Sequence, residues 1–598
     1  MRVLLALAVA VAAVAGCLGG PGANPGTEDA PCLPFPHPCG DIWPKDLTGP
    51  FQLESGEVQR LFVTSHDGTE LRGWLYLPDL PEGVLAPTLV VSSPYYGLDV
   101  APSENDDMGG IGSTRRYFEA GYAVAAFSVR GTGVSGGCFE NKGLDEQLDQ
   151  VALVDWAAAQ PWSNGRIAMG GTSYPGTTPF MAAIHQAPHL VTILPNGPVT
   201  DPYTELHTPQ GALYTMGGAY EAGRRGLVTA EQLSNLFASD GNPPGIVTFT
   251  PERLCPDLVQ VLAGAEKGHF TDDRDGAFWR ERQLILAFPN ITAAVFLSHG
   301  LDETAHPFQE DPVWEALDRA PKRMLLGQWD HQLPDVDDWQ GMLLAWLDYW
   351  LKGLGDAAPG LGVVTYQDDG GAWHDSSSWP PAEATAESLH LDAGQLSRSP
   401  AASGDGGSFR SVPPAPRTAP DAPREQLCGT APPGTGLVFD GEPIAAATLV
   451  AGNPFLFLDL ESDQPGGLVA AHLFAGDGDC RTARLLSSGV ADLRFHDGVF
   501  VGHDFHTGMA MPVRIDLLDL AEPIAAGEHL SLVLSFGDTF STGEIADPLT
   551  DARFSHSGQP YVPLLTVHAG SELVLPVVGR TLGGTTPVGP FPPRPFVP

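Results

Sequence analysis

Three chemically able residue types occur in one order along this chain: a serine among small residues, an acidic pair, then a histidine. The serine is Ser173, inside GRIAMGGTSYPGTTPFMAA, Gly165 to Ala183. The apolar run Ile167 to Met169 is cut by Gly170 and Gly171, and Thr172-Ser173-Tyr174-Pro175-Gly176 follows before residues able to start a helix. That reads as strand, sharp turn and helix, with small residues where the two backbones nearly touch and the hydroxyl lifted above the strand end. Downstream, the apolar strand Ala293 to Leu297 ends at Ser298-His299-Gly300-Leu301-Asp302-Glu303, and the strand Arg323 to Leu326 ends at Gly327-Gln328-Trp329-Asp330-His331. Acyl transfer by serine needs a base, a group that orients the base, and donors for the developing oxyanion. Ser173, then Asp302 or Glu303, then His331 supply the first two, each just past an expected strand and so on one rim of a sheet. His299 and His306 are rival bases, but both lie too near the acid in sequence.

The elements that must position these residues begin near residue 57. Val58 to Val63, Leu71 to Leu77, Thr88 to Ser92 and Tyr122 to Val129 read as strands, and Leu148 to Ala159 has helical spacing before the serine strand. Strands alternating with helices, several apolar on both faces, imply a mainly parallel sheet covered on both sides. With serine, acid and histidine in that order, this is the arrangement of an α/β-hydrolase fold, although Pro175 takes the fifth position of the usual G-x-S-x-G and the glycine comes one later, at Gly176. Between Asp201 and Arg282 the strand pattern lapses into helical and loop-like sequence, with Leu227 to Phe237 and Pro256 to Ala265 as expected helices, an inserted cap. Arg323 to Leu326 reads as the last strand and Gly341 to Lys352 as the helix after it. Beyond about Gly360, short alternating strands separated by Pro/Gly/Ser clusters imply an all-β jelly roll. The expected organisation is a signal peptide at 1–17, a tether at 18–50, the hydrolase domain at 51–200 and 286–360 around a helical cap at 201–285, the β-domain at 361–580, and a Pro/Gly-rich tail at 581–598.

Composition narrows the partners. The chain has 598 residues, 43% hydrophobic and 17% charged, and a net charge of −41 with five lysines against 26 arginines. Such an acidic surface argues against nucleic acid, since phosphate binding needs clustered Lys and Arg. The first residues, MRVLLALAVAVAAVAGC, combine one positive charge, an apolar core too short for a membrane span, and small residues before Cys17. The V-A-G-C ending resembles a lipobox, so export with lipidation at Cys17 is expected, and a membrane is met only through that anchor. The six remaining cysteines are an even set in an exported chain, and proximity and domain assignment favour Cys32–Cys39, Cys138–Cys255 and Cys428–Cys480. No Cys/His cluster supports a metal. The Gly-rich RGTGVSGG lacks the Lys-Ser/Thr of a phosphate loop, and Asp477-Gly478-Asp479 lacks the other ligands of a calcium loop.

Several segments together resemble the X-Pro dipeptidyl-peptidase and cocaine-esterase family of serine hydrolases: Ser93-Pro94-Tyr95, RGTGVSGG, AAQPWSNGRIAMGGTSYPG, FWRER at Phe278 to Arg282, SHGLDETAHP, GQWDH, and WLDYWLKG at Trp346 to Gly353. The resemblance covers roughly 55–380, and the β-rich remainder matches the family's C-terminal jelly roll. It implies Ser173 as nucleophile, His331 as general base, and an oxyanion hole from the Tyr95 hydroxyl and the Tyr174 N–H. It implies a structural role for Arg130, tying loops beneath the site. For the acid, counting forward from His299-Gly300 reaches Glu303, whereas counting back from Pro307 reaches Asp302. Asp302 is preferred because aspartate is the family residue, with Glu303 the alternative.

The implied substrate is a small peptide with proline second from its N-terminus, or a bulky ester or amide. The peptide reading needs an acidic partner for the free amine, for which the cap region offers Asp201, Glu205 and Glu221. No cofactor is expected, because serine chemistry needs none. The competing class is a non-catalytic surface protein that binds through its β-domain, against which the complete serine, acid and histidine order argues.

Overall fold

A computed structural model describes residues 43–583 except 97–100, 102, 106, 108, 204–252, 259–275, 304–309, 400–404, 412–433, 480–481, 498–501, 536–560 and 580. Among the described residues, the first half of the chain is built on one ten-stranded sheet. Its strands are β1 (Gln59–Thr64), β2 (Glu70–Tyr76), β3 (Ala86–Ser93), β4 (Ala123–Ser128), β5 (Ser163–Thr172), β6 (Leu190–Asn196), β7 (Ala294–Gly300), β8 (Lys322–Gly327), β9 (Val364–Gln367) and β10 (Trp373–Ser376). Their order is β1-β2-β4-β3-β5-β6-β7-β8-β9-β10. Pairing is parallel from β4 through β9 and antiparallel at both ends.

Every residue of β3, β4, β6 and β7 is buried, as expected for parallel strands covered on both faces. Alternation along β3 shows how the faces are filled. Val90 joins the core with Leu153 of α2 (Leu144–Ala158) and Phe180 of α3 (Tyr174–Ile184), whereas Leu89 and Val91 join Phe118 of α1 (Thr114–Glu119) and Trp346 of the later helix Trp339–Leu347. That later helix starts at Asp338, whose side chain accepts from the Gly341 N–H and also pairs with Arg116 at 2.6 Å.

Two boundaries differ from the sequence reading. β8 is not the last strand of this sheet, because β9 pairs with it in parallel and β10 closes the edge. The first residues assigned above to the β-domain therefore complete the hydrolase sheet. They are four-residue strands with half-polar faces, VTYQ and WHDS, and such edge strands look alike in either domain. The all-β half follows, with 13 strands among the described residues between Thr385 and Val578, packed around their own core. It is attached to the first half by burial: Ala451 and Ala521 share a core with hydrolase residues, and the Asp369 N–H donates to the Ala521 carbonyl at 2.9 Å. The helix expected at Leu227 to Phe237 lies outside the described residues, as do most of the cap and the tail.

Arg130 has the structural role inferred for it. Its guanidinium is 3% exposed and grips Asp149 through Nε and Nη2, both at 2.7 Å, while Nη1 reaches Asp67 at 3.2 Å and Asp145 at 3.3 Å. Ser65 donates to the same Asp149 carboxylate. His66, Asp67 and Asp149 bring ligand atoms within 4.8 Å of one another, but the charge among them is already met by the guanidinium. Removing one member of a buried charge pair leaves the other uncompensated. Arg130→Met is therefore expected to cost about 3–5 kcal/mol, measured by urea unfolding, and Arg130→Met with Asp149→Asn should recover part of that loss.

Candidate active site

Ser173 stands between β5 and α3 at φ 66° and ψ −126°, a backbone region that non-glycine residues avoid. The surroundings hold it there. The Ser173 N–H donates to the Asn196 carbonyl of β6 at 2.9 Å, and the Thr172 N–H donates to the Gly109 carbonyl at 2.7 Å. The small residues around it are required by space. A Cβ on Gly171 would lie 2.4 Å from Pro175 Cβ, and one on Gly176 would lie 2.5 Å from the Asn196 carbonyl oxygen. Ser173 caps α3, so the N–H of Tyr174 is among the first-turn groups with no acceptor inside the helix.

The base and acid meet at the neighbouring strand ends. His331 Nδ1 lies 2.8 Å from Glu303 Oε2, with the Glu303 side chain 2% exposed and the His331 side chain 25% exposed. An ionised carboxylate only accepts, so Nδ1 carries the proton and Nε2 is left to take one. Burial opposes a charge on the imidazole, but the Glu303 carboxylate outweighs it and holds the histidine above its ordinary value. Gly197 packs on this pair. A Cβ there would sit 3.3 Å from Glu303 Oε2 and 3.4 Å from His331 Nδ1.

This pairing corrects the choice of acid. Glu303, not Asp302, faces the histidine. The chain turns immediately after β7, with the Glu303 N–H donating to the Gly300 carbonyl at 3.3 Å. Asp302 occupies the corner and is exposed, whereas Glu303 returns to the interior. Partial desolvation, Asp369 and Asp330 raise the Asp302 carboxyl. His299, a rival base, is buried behind the acid with Nε2 4.0 Å from Glu303 Oε2. His306 lies outside the described residues.

Tyr95 is half-buried just past the end of β3, adjacent in the sheet to β5, and its N–H donates to Ser93 Oγ at 3.1 Å. That puts it on the rim that carries Ser173. The Tyr174 side chain enters a buried polar cluster that no local sequence pattern signals. Its phenol donates to Glu146 Oε1 at 2.5 Å, and the Lys142 N–H donates to the phenol oxygen and to Glu146 Oε2, both at 3.1 Å. The Lys142 ammonium lies 4.7 Å from the Tyr174 ring centroid. Burial pushes Glu146 up to about 7, against the pull of these hydrogen bonds. In sequence, Glu146 is one more acid in the first turn of α2 and looks like a solvated helix start.

Of the amine candidates, Asp201 is 3% exposed, follows Gly197 by four residues, and accepts from the Tyr203 N–H at 3.0 Å. Glu205 and Glu221 lie outside the described residues. The Cys138–Cys255 disulfide is formed and ties the loop before α2 to a point within the cap insertion, where the Phe139 N–H also donates to the Arg253 carbonyl at 2.7 Å. Cys17, Cys32–Cys39 and Cys428–Cys480 lie outside the described residues.

Comparison with known proteins locates the site within the chain. Residues 67–333 match the family profile described as X-Pro dipeptidyl-peptidase (S15 family), and residues 360–553 match that of the X-Pro dipeptidyl-peptidase C-terminal non-catalytic domain. A Bacillus anthracis protein provisionally named Xaa-Pro dipeptidyl-peptidase is 26% identical over 57% of this chain and 60% of its own length. The cocaine esterase of Rhodococcus sp. (strain MB1 Bresler) is 25% identical over 54% of this chain and 60% of its own. The chain thus spans about three fifths of the length of these curated relatives. A CocE/NonD family hydrolase of Staphylococcus aureus superposes with a TM-score of 0.66 at 19% identity, over 87% of this chain and 94% of that one, so the two share a fold.

The geometry makes two tests. A fluorophosphonate probe is expected to label Ser173, and Glu303→Gln should slow labelling about a thousandfold or more and move its acid limb to lower pH, while Asp302→Asn leaves both nearly unchanged. Mass spectrometry of the labelled peptide at a series of pH values checks this. Separately, Glu146 binds a proton in the folded state that it loses when unfolded, so its contribution to stability is present below about 4.5 and lost as pH rises to about 7. Glu146→Gln is expected to flatten the fall of the unfolding midpoint across that window, followed by circular dichroism.

Proposed function

Because this chain belongs to the X-Pro dipeptidyl-peptidase (S15) family of α/β-hydrolases, we propose that it is an exported, lipid-anchored serine hydrolase that releases N-terminal Xaa-Pro dipeptides through an acyl-enzyme on Ser173. The observation that carries the reading is the 2.8 Å contact of His331 Nδ1 with the buried Glu303 carboxylate, on the sheet rim where Ser173 is held in a strained turn. In this reading Ser173 Oγ attacks the scissile carbonyl while His331 Nε2 takes its proton. The Tyr174 N–H and the Tyr95 hydroxyl hold the oxyanion, and imidazolium then returns the proton to the leaving amine. Glu303 holds the required tautomer and stabilises the imidazolium.

The peptide is favoured over the ester by the charge beside the acid. Partial burial, Asp369 and Asp330 raise the Asp302 carboxyl at the junction with the β-domain, and burial together with Asp369 and Asp302 pushes Glu522 up to about 7 despite Arg484. A negative field there suits a substrate that arrives with a free ammonium group. Asp201 is proposed as its direct partner. Export and lipidation rest on the N-terminal residues and Cys17.

Purified protein lacking residues 1–17 is expected to hydrolyse Gly-Pro- or Ala-Pro-p-nitroanilide, with turnover abolished by Ser173→Ala. N-acetylation of the same substrates should remove most of the rate. Turnover of p-nitrophenyl butyrate without turnover of the proline amides would instead place the chain with the cocaine-esterase-like members.

A further inference from the structure

We infer that Asn196 is a positioning residue that sets the nucleophile turn and the base loop in register through a single side-chain amide. The inference rests on the serine-hydrolase reading and goes beyond the triad and oxyanion donors. Asn196 ends β6 and is 3% exposed. Its Nδ2 donates to Thr172 Oγ1 at 2.8 Å and to the Gln332 carbonyl at 3.0 Å, and its Oδ1 accepts from Ser298 Oγ at 2.7 Å. Its main-chain carbonyl takes the Ser173 N–H at 2.9 Å. Thr172 immediately precedes the nucleophile, Gln332 immediately follows the base, and Ser298 lies on the strand that leads into the acid. One residue therefore bonds to the elements carrying all three members.

The chemistry of the partners calls for a side-chain amide. The Gln332 carbonyl can only accept, so an NH2 group must face it. Thr172 Oγ1 already donates its proton to the Gly110 carbonyl at 2.9 Å, so toward Asn196 it too can only accept. Both protons of the amide are therefore used, and the Ser298 hydroxyl fixes which way round the amide sits. Aspartate has the same shape but offers no donor, and would place a charge against two acceptors. Alanine would leave the Gln332 carbonyl and the Ser298 hydroxyl without this partner and the base loop free to shift relative to β5.

A shift of that loop acts on His331, whose charged neighbours are Glu303, Asp330 and His299. Loosening the contact with Glu303 weakens the influence that favours imidazolium. The acid limb of the rate profile then moves to lower pH, in the same direction as Glu303→Gln. Loss of fold stability alone lowers the concentration of active enzyme and leaves the shape of the profile alone.

The test compares wild type, Asn196→Asp, Asn196→Ala and Ser298→Ala in the full chain without residues 1–17, with Glu303→Gln alone and combined with each Asn196 variant, and Ser173→Ala as the control. Proline-amide turnover, fluorophosphonate labelling and the unfolding midpoint would each be followed against pH. The expected result is a kcat reduced about ten- to a hundredfold for both Asn196 variants with KM changed far less, an acid limb displaced to lower pH, and a loss in combination with Glu303→Gln smaller than the product of the single losses. Ser298→Ala, which keeps the amide but frees its orientation, should show the same displacement with a smaller fall in kcat, and it carries the test if the Asn196 variants do not fold. An unchanged kcat and an unmoved limb, with Ser173→Ala inert, would overturn the positioning role while leaving the hydrolase reading intact. Undiminished turnover and labelling in Ser173→Ala would overturn both.

Discussion

A serine held at φ 66° and ψ −126° occupies backbone space that costs roughly 1–3 kcal/mol for a residue with a Cβ, and it persists only because its neighbours leave it no alternative. The strand before it is buried between β3 and β6, and the helix after it is buried along its whole length. The two can meet only through a turn tight enough that Gly171 and Gly176 have no room for a side chain. The hydrogen bond from Ser173 N–H to the Asn196 carbonyl completes the constraint. The strain is thus supported by the packing of the central sheet, and the position of the hydroxyl is set by the most rigid part of the molecule.

The acid and base are placed by the same sheet but by looser means. β7 and β8 are parallel neighbours whose Gly300 and Gly327 lie directly opposite each other, and the loops beyond them carry Glu303 and His331. Gly300 is forced to be small by Trp329, whose carbonyl oxygen would lie 2.0 Å from a Cβ there. That close approach brings the two loops together, and the short Nδ1 to Oε2 contact follows from it. Gly197, at the end of β6, closes the third side. The site is therefore a convergence of three consecutive strand ends, with the serine turn one strand further along the sheet.

How much of this the sequence disclosed depended on whether a residue's neighbours along the chain were also its neighbours in space. Ser173 is defined by Gly170 to Gly176, all local, and it was readable. His331 follows a buried strand and was readable for the same reason. The acid was not, because Asp302 and Glu303 are adjacent carboxylates and only the turn from Gly300 decides which one comes back inside. Glu146 and Asn196 were invisible. Glu146 acquires its character from Tyr174, 28 residues away, and the partners of Asn196 lie up to 136 residues away. The strands β9 and β10 fall where the C-terminal domain profile also begins, yet they pair into the first sheet, because a four-residue alternation carries no information about which sheet it joins.

The junction with the all-β half adds a term that neither half has alone. Asp369 lies on the hydrolase side and is fixed to the Ala521 carbonyl, next to Glu522. Docking the β-domain therefore brings Glu522 up to Asp369 and Asp302, beside the triad acid. Gathering carboxylates costs desolvation and mutual repulsion, and Glu522 responds by holding its proton to about 7. The same field stabilises positive charge nearby. For the proposed peptide substrate it would favour a cationic end near the junction. His331 itself feels Glu303 and Asp330, which hold the imidazole above its ordinary value against burial, and a protonated imidazole cannot act as a base. In the proposed mechanism the same two carboxylates would stabilise the imidazolium formed during attack, so the balance favours neutral or mildly alkaline surroundings, where the imidazole starts neutral and that stabilisation is retained.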